Sequence, residues 1–456
     1  MPDIGKLQVQ LYKVNTAIPI TNAAVTITRV DGDTREQMGM LTTDADGQTK
    51  IIELQTPPVD RSIDPNNKLI PYSLYDVKVV AEGFRDVLVK GCQILPYQTA
   101  LQICNLIPLN VNRENEEGGE EKRIIAIPPN VQFGDFPPKI PEDEEKPLPP
   151  PPTGFVVLPE PVVPEFITVH AGVPTNTGAP NYTVPYKDYI KNVASGEIYA
   201  TWPETTIRAN IYCIISFTLN RIYTEWYRGK GYKFDITNST AYDQAFSYGR
   251  NIYENISLIV DEIFSTYIKR AGAKQPLFAQ YCDGRNVKCP GWLTQWGSKD
   301  LGEQGYVPYE ILTNFYGNDI VFETAKNVVG SPESYPGYTL KEGTSGEPVK
   351  TVQTFLNRIA QNYPLIPKVA VDGIYNPATT EQVKVFQKVF KLPQTGQVDY
   401  ATWYKISDLY VGVTKIAELR SSTEIGTDSK VSYAYFIPHC PYKGAVDVPE
   451  IKYPMD

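Results

Sequence analysis

Between residues 111 and 165 the sequence changes character so sharply that a single hydrophobic core is not expected to run through it. Thirteen prolines fall between Pro128 and Pro164, including the consecutive Pro149, Pro150, Pro151 and Pro152. Glu114, Glu116, Glu117, Glu120 and Glu121 surround Gly118 and Gly119, and Glu142, Asp143, Glu144 and Glu145 form a second acidic knot. Twelve acidic against five basic side chains leave this segment at −7, out of −9 for all 456 residues, so the rest of the chain is nearly neutral. Proline lacks the amide hydrogen that regular structure needs, and like charges extend the backbone further. Residues 111–165 are therefore expected to form a semi-rigid, solvent-exposed linker open to proteolysis. Lys122, Arg123 and Lys146 are basic positions within it, but they single out no scissile bond.

On either side the hydrophobic period differs. Residues 1–110 carry β patterns in Leu7-Gln8-Val9-Gln10-Leu11, Ala24-Val25-Thr26-Ile27-Thr28, Ile51-Ile52-Glu53-Leu54, Tyr75-Asp76-Val77-Lys78-Val79 and Val87-Leu88-Val89. Turn signals at Asp31-Gly32-Asp33, Asp44-Ala45-Asp46-Gly47 and Glu82-Gly83 separate them, which predicts a small antiparallel sandwich. Asp44 to Gly47 lacks the remaining ligands of a calcium loop and reads as a hairpin turn. Residues 166–330 turn helical: Ile207, Ile211, Ile214, Ile215, Leu219 and Ile222 recur at three- and four-residue steps behind Pro203, and a second amphipathic run covers 252–268. Residues 335–410 form a smaller unit with helical periodicity through Val349, Val352, Phe355, Leu356 and Ile359, then a second helix over 379–390. The extension 411–456 is not legible as a fold. There His439 beside Cys440 reads as a structural turn.

Composition excludes several functions. An acidic chain is a poor candidate for a nucleic-acid binder held by phosphate contacts. Two histidines, His170 and His439, rule out chemistry built on several imidazoles or a His-rich zinc site. Cys282 and Cys289, spaced C-x6-C, fit no common zinc pattern, which leaves a local disulfide or two free thiols. No metal or other cofactor is expected. The start Met-Pro-Asp-Ile-Gly-Lys shows no signal peptide, and no apolar run is long enough for a membrane span, so synthesis in a cytosol is expected.

Three resemblances bear on function. The Thr-Asp-x-x-Gly turn at Thr43 to Gly47, with Tyr75 and Gly83-Phe84 later, resembles transthyretin-like domains. Lys341-Glu342-Gly343, Val349 to Gln353, Val371-Asp372-Gly373-Ile374-Tyr375, Val385-Phe386-Gln387, Leu392 to Asp399 and Trp403 together resemble the peptidoglycan-binding domain type 1, a three-helix module. That resemblance implies cell-wall glycan as ligand, with Asp372 and Gly373 structural. Tyr189 to Ile198, Trp202-Pro203-Glu204, Asn238-Ser239-Thr240, Gln244, Tyr281 with Gly284, and Tyr309 to Leu312 resemble the stage II sporulation protein D family of lytic enzymes. The resemblance places the catalytic acid/base on Glu197, and makes Ser239, Gln244 and Tyr281 candidates for substrate contact. Trp296 could stack on a sugar face or fill core. The loop Phe234 to Gln244 lacks the Cys and His with which some relatives bind zinc, so no zinc is expected there.

The fold class expected is multidomain α+β: a β-sandwich, an acidic Pro-rich linker, a mixed α/β catalytic domain and a small three-helix wall-binding module. This layout resembles the clostridial spore cortex-lytic enzymes of the SleC type. The resemblance implies a lytic transglycosylase acting on cortex peptidoglycan at germination. It also implies synthesis as a proenzyme in the mother-cell cytoplasm, storage at the cortex and coat of the spore, and activation by a subtilisin-like protease. Residues 1–110 would then inhibit or chaperone the lytic domain until 111–165 is cut. Two other readings stay open at this point: a non-catalytic peptidoglycan-binding protein or amidase enhancer, and a hydrolase that leaves reducing ends.

Overall fold

The computed structural model describes residues 2–109, 123–142, 160–287 and 289–414. The acidic runs 114–121 and 143–145, Lys122, Lys146, and the extension past 414 with His439 and Cys440 lie outside the described residues.

The N-terminal unit comprises β1 (Asp3–Lys13), β2 (Ala24–Asp31), β3 (Thr34–Thr42), β4 (Ile52–Thr56), a one-turn helix α1 (Asp60–Ile63), β5 (Ser73–Val80), β6 (Val87–Ile94) and β7 (Thr99–Leu106). Alternation decides which face goes inside. In β5, Tyr75, Val77 and Val79 are buried while Lys78 and Val80 face out. One sheet runs β3-β2-β5-β6 and the other β7-β1-β4, with β1 antiparallel to β4 and parallel to β7. The turn at Asp44 is braced by its own carboxylate, which accepts the N–H groups of Asp46 and Gln48 at 3.0 Å each.

Expected as a solvent-exposed spacer, residues 123–142 are instead packed. Arg123–Ala126 is β8, which extends the first sheet alongside β6 in parallel. From Ile127 the chain crosses onto the central domain as a strap, with Ile127, Asn130 and Gln132 buried. The reason lies in how charge is distributed: Ile124, Ile125 and Ile127 form an apolar β-branched run, whereas the acidic knots sit outside it.

The central domain opens with β9 (Val162–Val163), β10 (Phe166–His170) and β11 (Asn181–Pro185), followed by α2 (Tyr186–Glu197) and the long α3 (Glu204–Tyr223). β10 pairs with β11 and with β12 (Ile236–Thr237). The run 252–268, expected as one helix, is divided into β13 (Ile252–Tyr253), α4 (Glu254–Ile263) and β14 (Thr266–Arg270). β13 leaves its own domain and pairs with Ala100 and Leu101 of β7, so the second N-terminal sheet is completed by the central domain. β15 (Tyr281–Cys282) and β16 (Leu293–Thr294) pair in parallel. After them come α5 (Gln295–Glu303), α6 (Pro308–Tyr316), β17 (Ile320–Thr324), which pairs with β14, and β18 (Asn327–Val328) beside β9. Cys282 and Cys289 form a disulfide.

Helices α7 (Glu347–Ile359), α8 (Pro377–Val389) and α9 (Tyr400–Thr414) make the C-terminal module. Two buried glutamines organise it in the same way. Gln353 accepts the Gly373 N–H and donates to Asp372 and Thr379, fixing the loop before α8. Gln387 accepts the Gly396 N–H and donates to Thr395 and Thr402, fixing the loop before α9. Both glycines have φ near +70°, where a side chain would be strained. The module also docks on the sandwich: Tyr363 Oη donates to the Ala17 carbonyl at 2.6 Å, and Gln48 Nε2 to that of Val389 at 3.0 Å. Buried apolar residues of all three parts form one continuous cluster. No helix among the described residues is long and apolar enough to cross a membrane.

Candidate active site

α2 ends at Glu197, and Ile198 continues in extended conformation. The Glu197 side chain is buried, and each carboxylate oxygen has a donor: Oε1 accepts the Ala245 N–H at 2.7 Å, and Oε2 the Tyr281 hydroxyl. Burial pushes this carboxyl above its ordinary range, against the opposing pull of Lys139, Tyr281, the Ala245 amide and Arg250. Glu197 thus keeps its proton to higher pH than a solvated glutamate, which is what a general acid needs. Gly196 has a steric reason to precede it. A Cβ there would lie 2.1 Å from Arg250 Nη1, so only glycine lets that guanidinium lie against the helix end.

Tyr281 is presented by β15, and burial, reinforced by the neighbouring Glu197, drives its pKa well above the ordinary phenol value. It remains a proton donor to the carboxylate. Gln244 accepts from Tyr189 Oη at 2.9 Å and Thr218 Oγ1 at 2.8 Å, while its Nε2 donates to the Ile214 carbonyl at 3.2 Å. Tyr281 contacts the acid directly, and Gln244 lies beside Tyr281. Ser239 stands apart. Half-buried, it opens the turn in which its carbonyl accepts the N–H groups of Tyr242 and Asp243. Trp296 is the second residue of α5, buried 4.9 Å from the ring of Trp202 and edge-on to Tyr199, a packing position.

The strap supplies residues that sequence reasoning missed. Asn130 Nδ2 donates to the carbonyls of Ser195 and Ile198, the Val131 N–H to that of Gly196, and Gln132 Nε2 to that of Glu197 at 2.7 Å. Lys139 lies beside the acid. Its Nζ donates to the Asp243 carbonyl at 2.7 Å and lies 4.5 Å and 4.7 Å from the ring centres of Phe217 and Tyr281. Burial lowers its pKa to about 8, although Glu197 and Asp243 favour the charged form. Further along, Glu142 meets the buried Arg221, which also pairs with Asp243 at 2.8 Å. The only sequence sign of Lys139 was a lone cation among Pro137, Pro138 and Pro141 in an acidic stretch. Among the described residues no group of three or more His, Cys, Asp or Glu could hold a metal ion.

Residues 345–406 match the peptidoglycan binding domain family. The match falls on the three-helix module and does not reach Glu197. No curated protein matches the chain.

Proposed function

We propose that this peptidoglycan-binding chain is the latent form of a lytic transglycosylase, with Glu197 as its single acid and base. The observation that carries the reading is a buried carboxyl with raised proton affinity, held by Tyr281 and the Ala245 amide in a chain that also bears a wall-binding module. The substrate bond joins muramic acid to N-acetylglucosamine. Protonated Glu197 gives its proton to the leaving glycosidic oxygen as the C1–O bond breaks, and an oxocarbenium-like centre develops at C1. The ionised Glu197 then takes the proton of the muramic C6 hydroxyl as that oxygen bonds to C1. A 1,6-anhydro ring closes, and the acid is regenerated without consumption of water. Tyr281 and the Ala245 amide orient the carboxylate between the two proton transfers.

Latency fits the strap, which covers the acid in the intact chain and brings Lys139 beside it. Removal of residues 1–142 by a protease acting within 143–159 would uncover Glu197. The spore cortex as substrate, germination as the occasion and a subtilisin-like protease as activator belong to the same proposal.

The test is mass spectrometry of muropeptides after digestion of cortex peptidoglycan with the chain cut between Glu142 and Glu160, wild type beside Glu197→Gln. Anhydro-muramic ends from the wild type alone are expected. Products heavier by one water would make it a hydrolase. Wall binding without cleavage by either protein would favour the non-catalytic or amidase-enhancing reading.

A further inference from the structure

The strap does more than pass beside Glu197: Glu142 is gripped through both its carboxylate and its backbone. Arg221 Nη1 and Nη2 donate to the two Glu142 carboxylate oxygens at 3.1 Å and 2.7 Å. The buried side-chain amide of Gln280 reads the backbone of the same residue. Its Oε1 accepts the Glu142 N–H at 3.0 Å, and its Nε2 donates to the Glu142 carbonyl at 2.6 Å. Arg221 is only 2 % exposed and is fixed without the strap's help: Nε donates to Asp243 Oδ1, and the guanidinium carbon lies 4.5 Å from the Phe278 ring centre and 5.1 Å from that of Phe217. Asp243 already balances its charge. What Glu142 engages is the outward fork of a guanidinium that is otherwise compensated.

This geometry selects its ligand. Two parallel N–H donors match a planar carboxylate, and Asp243 next to the fork disfavours a more highly charged phosphate. Gln280 adds the requirement of an amide on either side of the acidic residue. Phe217 connects this pocket to the acid, because Lys139 lies over both Phe217 and Tyr281, and Tyr281 donates to Glu197. Peptidoglycan offers the matching chemistry, since a glutamyl residue in amide linkage lies on the peptide attached to muramic acid.

We propose that Arg221 and Gln280 form a subsite for an acidic residue in peptide linkage, occupied in the intact chain by Glu142 and in the uncovered enzyme by the glutamyl residue of a peptidoglycan stem peptide. This rests on the reading of the Glu197 cleft as the peptidoglycan site. Glu142 thereby acts as an internal stand-in for substrate.

The test is a calorimetric titration of the full chain with N-acetylmuramyl-L-alanyl-γ-D-glutamyl-L-lysine, in which the glutamyl residue keeps one free carboxylate between two amides. Wild type is compared with Glu142→Ala and with Glu142→Ala carrying Arg221→Lys, which keeps the charge opposite Asp243 and protects the fold. The C-terminal module is the same in all three and cancels from the comparison. Glu142→Ala is expected to bind at least about tenfold more tightly than wild type, the gain of one charge-assisted bidentate contact. Arg221→Lys should abolish that gain, and the same probe with its free glutamyl carboxylate converted to an amide should show none. Equal affinity for wild type and Glu142→Ala, or an equal gain for the amidated probe, overturns the subsite. Because the readout is binding, a chain that gains the probe yet never cuts glycan retires the role of Glu197 and leaves the subsite standing. Cleavage without the gain does the reverse.

Discussion

Glu197 is costly to the folded chain, and its cost has a sign. With its pKa raised by burial, the native state retains a proton that the unfolded state has already lost. The stability associated with that proton is fully present below the ordinary carboxylate pKa and is lost as pH rises through the raised value. Glutamine cannot ionise, so Glu197→Gln should gain melting temperature relative to wild type as pH goes from 4 to 8, roughly the span that brackets a raised carboxylate. A difference that stays flat across this range would mean the carboxyl titrates as though solvated. Its neighbour is constrained by space. Gly196→Ala would drive a methyl into Arg250, whose Nη2 donates to Gln93 Oε1 at 3.0 Å across the domain boundary. Chemical denaturation should register a loss of roughly 1–3 kcal/mol, the usual cost of overpacking. Gly196-Glu197 could be picked out of the sequence because a motif names adjacent residues. The Arg250 that requires the glycine lies far along the chain, and no spacing rule points to it.

At the scale of elements, local pattern was readable wherever one face is buried. β5 and α7 follow their periods of two and about 3.6. The strap was hidden because charge averaged over 111–165 merges an apolar run with the acidic knots beside it, and because the partners of its polar atoms lie on α2, α3 and the loop after β12. The division of 252–268 was hidden because strand β13 is specified by its partner β7, in another domain. The joint between α2, α4 and α9 is similarly non-local. Lys191 Nζ lies 2.8 Å from Asp261 Oδ2, and Lys187 bridges Asp261 and Asp408. Burial alone would raise the Asp261 pKa, but Lys191, Lys405 and Lys187 together hold it down to about 2. The stabilisation is present above the ordinary Asp value and is lost as pH falls through about 2. Asp261→Asn leaves three lysines facing only the exposed Asp408 and Asp188, and should cost about 3 kcal/mol or more at pH 7. The penalty should shrink near pH 3, roughly where the unfolded Asp has taken up most of its proton while the folded one has not. Equal penalties at both values would show that packing, not charge, holds the three helices.

For the molecule as a whole, the three parts cannot be independent bodies joined by a spacer. The central domain lends β13 to the N-terminal sheet. Asn251 exchanges hydrogen bonds with the Gln93 backbone at 3.0 Å each, and Trp202 Nε1 donates to the Ser62 carbonyl at 2.9 Å. The C-terminal module grips the sandwich through Tyr363, Gln48 and the Gly412 carbonyl, which accepts the Ala17 N–H. Cutting the backbone between Glu142 and Glu160 breaks none of these contacts, because the strap lies on the N-terminal side of any such cut. Proteolysis alone should therefore leave residues 1–142 in place over Glu197, and uncovering the cleft becomes a dissociation step. Size-exclusion chromatography of the cut chain should show both fragments eluting together at micromolar concentration, with hydrogen exchange at Val131 and Ile140 still slow. Their amides remain bonded to the carbonyls of Gly196 and Ala241. On the proposal that glycan and strap compete for the Glu197 site, peptidoglycan added to the cut chain should then separate the fragments. If the fragments part as soon as the bond is cut, with no glycan present, the covalent connection was holding the strap down, and the contacts described here are too weak to do so by themselves.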